Sequence, residues 1–240
     1  MWIAHVCFSP CGETKRIANY FYEKTGGLFY DFTSPDVRDA FDTSIRYELV
    51  VLSLPVYSED VPAPMKPWLA RFDAEHYVLN FAYGGKSVGD VPRKVAALLG
   101  PERIVAWTAT VTKHAFCDGN VTPDFSRFDP VLAKVNGGDL SACPVPKLRP
   151  TPFGWVVPNL RLKLGYRLRI DLKTCIRCNE CVRRCPVRAI TAEPKITASC
   201  IGCGLCPKLC PVGAISEKKS PILMHYLNHR KTAGAVVRTR

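Results

Sequence analysis

Eight of the twelve cysteines fall between Cys175 and Cys210, in two runs of identical spacing. The first, Cys175-Ile-Arg-Cys178-Asn-Glu-Cys181-Val-Arg-Arg-Cys185-Pro186, reads C-x2-C-x2-C-x3-C-P. The second, Cys200-Ile-Gly-Cys203-Gly-Leu-Cys206-Pro-Lys-Leu-Cys210-Pro211, repeats it at an offset of 25, and the repeat continues from Val187-Arg-Ala-Ile190 into Val212-Gly-Ala-Ile215. Thiolates separated by two residues can wrap one inorganic centre, while a fourth ligand must come from a distant segment to close the cage. The N-terminus lacks the basic start and apolar stretch of an export signal, so clustered cysteines point to metal ligation rather than a disulfide framework. Zinc competes for four-cysteine sites. The duplication, the three-residue final gap and both following prolines favour iron–sulfur ligation, as two [4Fe–4S] clusters, and clusters with a purely structural role remain the plainer alternative.

The pattern resembles that of the bacterial two-cluster ferredoxins, in which the fourth cysteine of each run ligates the other cluster. That resemblance implies one cluster on Cys175, Cys178, Cys181 and Cys210, and the other on Cys200, Cys203, Cys206 and Cys185. Crossed ligation would tie both halves into one core, which roughly 50 residues could not bury unaided.

A second set of chemistry-bearing residues lies in the first half. Ile3-Ala-His-Val-Cys-Phe8 reads as a buried strand, Ser9-Pro-Cys-Gly-Glu-Thr14 as a turn, and Lys15 to Lys24 as an amphipathic helix. Hydroxyls and free N–H groups at a helix N-terminus suit a phosphate, whereas the plainer reading makes Ser9 or Thr14 a helix cap. Further strands are expected at Tyr47–Leu54, His76–Phe81 and Arg103–Ala109, with an edge strand at Leu28–Phe32. Helices are expected near Pro62 and over Asp90–Leu99. Strands separated by helix-length segments favour an open α/β sheet covered on both faces, whose ligands bind at the carboxyl ends of the strands.

The stretch Phe8-Ser-Pro-Cys-Gly-Glu-Thr-Lys-Arg-Ile-Ala18 resembles the phosphate loop of flavodoxin-like proteins. The resemblance implies a doubly wound, five-stranded parallel sheet that binds flavin mononucleotide (FMN). Ser9, Cys11, Gly12, Glu13 and Thr14 would form the first loop, with Cys11 standing where a hydroxyl residue is usual. Pro55, Val56, Tyr57 and Ser58 would form the second loop, and Tyr83, Gly84 and Gly85 the third. Tyr57 is then either a ring that stacks on the flavin or an ordinary surface aromatic. Thr112-Lys-His-Ala-Phe116 resembles an element of flavodoxin-like modules fused to ferredoxins, which puts His114 beside the flavin or leaves it a structural hydrogen-bonding residue. No serine, histidine and carboxylate ordering supports hydrolysis.

Composition separates the halves. Residues 1–146 carry 14 basic and 17 acidic side chains, net −3, and residues 147–240 carry 19 and 4, net +15. Between them, Leu140–Leu164 holds five prolines and breaks both helical and strand periods. Its Phe153, Trp155, Val156 and Val157 suggest a packed crossing, and Cys143 reads as an inert small residue. The expected division is therefore 1–145, a Pro-rich linker 146–165, a small α+β ferredoxin-like domain 166–219, and a helix and fraying tail 220–240. Short strands are expected at Tyr166–Asp171 and Lys195–Thr197.

The basic half is either a solvated face offsetting anionic clusters, a surface that steers an acidic redox protein, or a peripheral contact with anionic lipid. No recognition motif supports nucleic-acid binding, and no apolar run is long enough to span a bilayer, so a cytoplasmic protein is expected. The whole chain resembles the flavodoxin-like and ferredoxin fusions of the EFR1 family, loosely over 1–145 and specifically over 170–216. The resemblance implies an oxidoreductase that moves electrons between two clusters and FMN, and so to a small molecule or protein. The alternatives are a non-catalytic carrier or redox-complex subunit, and a first module that has lost its flavin and serves for docking.

Overall fold

The computed structural model describes residues 1–113, 115–117, 121–149, 164–230 and 233–240. The first half alternates strand and helix: β1 (Ile3–Cys7), α1 (Glu13–Thr25), β2 (Leu28–Asp31), α2 (Pro35–Asp39), β3 (Arg46–Pro55), α3 (Lys66–Leu69), β4 (Asp73–Tyr83), α4 (Val91–Leu99), β5 (Ile104–Val111) and α5 (Asp129–Asn136). The second half contributes β6 (Tyr166–Ile170), α6 (Glu180–Arg183), α7 (Leu205–Leu209), β7 (Ile215–Lys219), α8 (Pro221–Asn228) and β8 (Ala235–Arg238).

Strands β1 to β5 are parallel in the order β2-β1-β3-β4-β5. That is the doubly wound order of flavodoxin-like folds, so the fold class is the one expected. Central strands are apolar on both faces because helices cover both: Leu49–Leu54 is buried at every position. On one face α1 and α5 bury Ile17, Phe21, Val131 and Val135 against Val51, Val78 and Ala106. On the other, α3 and α4 bury Leu69, Val91, Val95 and Leu99 against Leu52, Leu79 and Trp107. In α1 the buried positions Thr14, Ile17, Ala18 and Phe21 follow the helical period. The chain then turns sharply at Gly27, φ +103°, where a Cβ would stand 2.4 Å from the Ile3 carbonyl oxygen. Only glycine lets β2 start that close to β1.

Two segments depart from expectation. The tail expected to fray instead forms β8, antiparallel to β5 from Trp107↔Arg238 to Thr110↔Ala235, as a sixth strand. Without it, β5 would expose an edge of unpaired backbone groups. The Lys134 ammonium locks the corner, donating to the carbonyls of Val105, Ser141 and Thr239 at 3.1, 2.8 and 2.7 Å. The start of the linker continues along the same edge: Cys143 N–H donates to the Ile104 carbonyl at 2.6 Å and the Trp107 indole to the Pro144 carbonyl at 3.3 Å. Cys143 is buried, and Leu148 N–H donates to the Asp90 carboxylate at 3.2 Å. Phe153, Trp155, Val156 and Val157 lie outside the described residues. Around Lys195–Thr197 the structure has an isolated bridge, Ile190↔Ile196, in place of a strand. Among the described residues, no helix is long and apolar enough to cross a membrane.

Candidate redox site

Antiparallel pairing builds the cysteine-rich module. β6 pairs with β7 from Tyr166↔Lys219 to Ile170↔Ile215, and Asp171 N–H donates to the Ala214 carbonyl at 2.8 Å, which brings Cys210 beside the Cys175 run. The Ile190↔Ile196 bridge and the Thr197 N–H to Ala189 carbonyl bond, 2.8 Å, likewise bring Cys185 beside the Cys200 run. Two cavities result. The outer one is lined by Cys175, Cys178, Cys181 and Cys210 with Ile170, Ile176 and Ile215. The inner one is lined by Cys185, Cys200, Cys203 and Cys206, with Leu168, Ile190 and Leu205 among its apolar walls and Cys181 on its border.

The halves match in detail. Ala189 N–H donates to the Cys185 sulfur and Ala214 N–H to the Cys210 sulfur, each at 3.2 Å and each 25 positions apart. The left-handed residues of the first repeat, Arg177, Asn179 and Arg188, have left-handed Gly202, Gly204 and Gly213 at the same offset in the second. Burial pushes up the thiols of Cys181, Cys200 and Cys206, the last to about 12. Thiolates in such a place need a compensating positive charge, which iron supplies, and sulfurs that accept backbone N–H groups fit an iron–sulfur cluster.

The inner cavity faces the carboxyl ends of the parallel strands. There Gly12, φ +88°, starts α1 with no side-chain cap of its own, and Ser9 and Thr14 are buried. The Ser9 hydroxyl accepts Lys15 N–H at 2.9 Å, while Ser9 N–H donates to the Thr33 hydroxyl at 2.7 Å. Thr110, near the end of β5, keeps a buried hydroxyl with no hydrogen-bond partner. Ser9 thus caps a first-turn N–H of α1, as the plainer reading expects, and the buried hydroxyls of Ser9 and Thr14 at this helix N-terminus also fit a phosphate group. Cys11 does something else: its thiol donates to the Cys203 carbonyl at 3.1 Å, which links the phosphate loop to the rim of the inner cavity.

The second loop turns tightly through left-handed Ser58 and Glu59, closed by Tyr57 N–H to the Asp60 carbonyl at 2.9 Å and Asp60 N–H to the Tyr57 carbonyl at 3.1 Å. Pro55 ends β3, and Val56 N–H donates to the Ala82 carbonyl at 2.8 Å. Desolvation, reinforced by Cys203 and Cys11 nearby, pushes the Tyr57 phenol well above its usual range. Its ring packs against the buried cluster on one face of the sheet, as does Ile201 of the cysteine module. In the third loop Tyr83 accepts Thr112 N–H at 2.9 Å, Gly84 follows, and Gly85 has φ +83°. His114 lies outside the described residues.

Phe116, which closes the Thr112–Phe116 element, and two arginines complete the junction. Phe116 stacks on Tyr166 with centroids 4.0 Å apart, and its carbonyl accepts the Lys219 ammonium at 2.7 Å. Gly204 packs so that a Cβ would stand 3.4 Å from the Phe116 ring. The buried Arg38 guanidinium donates to the carbonyls of Phe32 and Pro186, bridging the modules one residue after Cys185. Arg188 pairs with Asp36 and Asp39 at 2.8 and 2.7 Å. Isolated arginines carry no spacing signal, so sequence alone could not single these out.

Residues 168–191 match the family described as a 4Fe-4S binding domain. The chain therefore carries an iron–sulfur binding region, and the zinc alternative loses its support. No curated protein matches. Among solved structures, the chain is similar to a putative flavoprotein from Bacteroides eggerthii DSM 20697, with 16% identity over 45% of this chain and 85% of that one, TM-score 0.35. It is also similar to the NAD(P)H:quinone oxidoreductase from Methanothermobacter marburgensis, with 12% identity over 58% and 99%, TM-score 0.35. A third likeness is to the azoreductase AzrA, with 12% identity over 58% and 95%, TM-score 0.33. At these scores the fold assignment rests on the strand order alone.

Proposed function

We propose that this chain is an iron–sulfur flavoprotein of the flavodoxin-like and ferredoxin fusion type, which relays electrons between two [4Fe–4S] clusters and FMN. The observation that carries the reading is the hydrogen bond from the thiol of Cys11, in the phosphate loop, to the carbonyl of Cys203, on the inner cavity. It makes the cluster of Cys185, Cys200, Cys203 and Cys206 the inner one, next to the flavin loops. The cluster of Cys175, Cys178, Cys181 and Cys210 is the outer one.

In this reading Ser9, Gly12, Glu13 and Thr14 would hold the phosphate, and Pro55–Ser58 and Tyr83–Gly85 would border the ring system. Bound flavin supplies the exchange between one-electron and two-electron chemistry. The chain's own groups set the terms of that exchange. Backbone N–H donors to the Cys185 and Cys210 sulfurs favour the reduced, more negative clusters. Apolar cavity walls keep water away, and Arg38 and Arg188 hold the inner cluster against the sheet.

A second reading, a flavin-free docking module on a two-cluster carrier, is favoured by one observation: the cysteine module already engages Cys11 of the phosphate loop. The test that separates them is an anaerobic absorbance spectrum with iron, sulfide and released flavin counted per chain. About eight irons and one FMN support the relay. Eight irons without FMN, even after flavin is added, leave the carrier.

A further inference from the structure

The outer cavity opens beneath an apolar surface. Ile176 and Val212 line it and are 61% and 39% exposed, Leu172 stands beside the same run at 64%, and Cys178 is itself exposed. Single exposed apolar residues are ordinary; two at the mouth of one cavity, with a third three positions before its first cysteine, are the pattern of a contact site. Cations surround them. Lys173 and Arg177 are exposed, with no ion-pair partner among the described residues. Arg183 donates to the Cys178 carbonyl at 3.0 Å, with Glu180 at 3.5 Å as its acidic neighbour. The other acid on this face, Asp171, is engaged by Lys173 N–H at 3.0 Å and the Thr174 hydroxyl at 2.6 Å. The inner cavity is instead the one beside the first module, where the Cys203 carbonyl accepts the Cys11 thiol at 3.1 Å and Gly204 lies against Phe116.

We infer that the face formed by Leu172, Lys173, Ile176, Arg177 and Val212 is the docking surface for an acidic one-electron carrier protein, which reduces the outer cluster. The inference rests on the cluster reading above. One electron leaves the carrier's reduced centre and enters the outer [4Fe–4S] cluster; no bond or proton is exchanged. A small apolar centre inside a cationic rim suits the limited, short-lived interfaces of electron transfer, in which charge governs encounter. A lipid surface would meet the same cations but holds no redox centre to bring close to the cluster.

The test uses the full-length holoprotein and a photoreduced acidic plant-type [2Fe–2S] ferredoxin as probe, followed anaerobically by stopped flow. Raising the salt from low to high is expected to slow cluster reduction about tenfold. Lys173→Glu/Arg177→Glu is expected to slow it about tenfold at low salt and little at high salt. Lys24→Glu/Arg71→Glu, which changes net charge equally on the first module, should alter it less than about twofold. Reduction of all three proteins to the same extent by a small viologen radical shows intact clusters. The docking inference is overturned if the two double variants behave alike, or if Lys173→Glu/Arg177→Glu abolishes binding to phosphatidylserine vesicles while the ferredoxin kinetics stay unchanged. Fast cluster reduction with no flavin reduction sinks the relay and leaves this surface standing.

Discussion

The two cysteine repeats share one backbone and differ in what surrounds them. Both require a left-handed residue two positions after the first cysteine, another two further on, and a third after the proline. The second repeat meets that demand with Gly202, Gly204 and Gly213, whereas the first uses Arg177, Asn179 and Arg188. Glycine adopts this conformation freely, and a side chain costs roughly 1 kcal/mol per position. The surroundings explain the difference. Gly204 lies against Phe116 and Ala115, where any side chain would meet the first module. Arg177 faces solvent beside the exposed Cys178, so the first repeat tolerates the strain and places charge at the cavity mouth. Duplication therefore supplied two similar cages, and contact with the sheet made one inner and the other outer.

The strongest test of that asymmetry removes iron. Few large side chains are buried in the cysteine module, chiefly Tyr166, Ile190, Leu205 and Ile215, whereas the sheet buries Trp107, Tyr47, Phe21 and many others. Chelation under anaerobic conditions should unfold 166–219 and leave the first module folded, which limited trypsin digestion with peptide mapping would display. Equal digestion of both modules would show a single cooperative unit instead.

Cysteine variants divide the pair. Cys206→Ala and Cys178→Ala should each lower iron from about eight to about four per chain. Only Cys206→Ala should stop electrons from the other cluster reaching the flavin; Cys178→Ala should spare chemical reduction of the flavin and lose reduction by a protein donor. Freeze-quenched electron paramagnetic resonance would follow both. Matching phenotypes would dissolve the distinction between inner and outer.

The junction gives smaller effects of unequal size. Arg38→Met leaves the Phe32 and Pro186 carbonyls without their shared donor, an expected cost of about 1–3 kcal/mol in denaturant unfolding, with slower transfer from inner cluster to flavin. Arg188→Ala breaks an exposed pair with Asp36 and Asp39 and should cost about 1 kcal/mol or less. If Arg188→Ala proves the more damaging, the buried guanidinium does not hold the modules together.

Glycine exchange is the finest probe. Gly204→Ala should cost about 1 kcal/mol from its φ of +75°, since its Cβ would meet Phe116 only at ordinary contact distance, whereas Asn179→Gly at the equivalent site should lie within about 0.5 kcal/mol of the parent. Equal shifts in melting temperature would mean that the left-handed backbone at this position makes no demand for glycine.

Legibility followed the range of each interaction. Each cysteine run could be read because its spacing is local, whereas the crossing was implied by the resemblance to two-cluster ferredoxins; Cys175, Cys178, Cys181 and Cys210 do share a cavity. The strands could be read because Leu49–Leu54, buried on both faces, is apolar at every position but Ser53. β8 could not, since Ala235–Arg238 is four residues long and becomes a strand only where β5 presents an open edge. α5 carries a short apolar period, Val131, Leu132 and Val135, that α1 and the sheet complete.

Residue types and local spacing thus determined an iron–sulfur module with two cysteine runs, whose crossing the family resemblance implied, a parallel sheet, and a polar loop at the mouth of its first helix. Tertiary structure decided which cavity faces that loop, that Cys11 meets the Cys203 carbonyl, that Arg38 bridges the modules, and that the C-terminus returns to the sheet edge. Those contacts join residues more than a hundred positions apart. They depend on how two separately encoded surfaces fit, which no local pattern of side chains can specify.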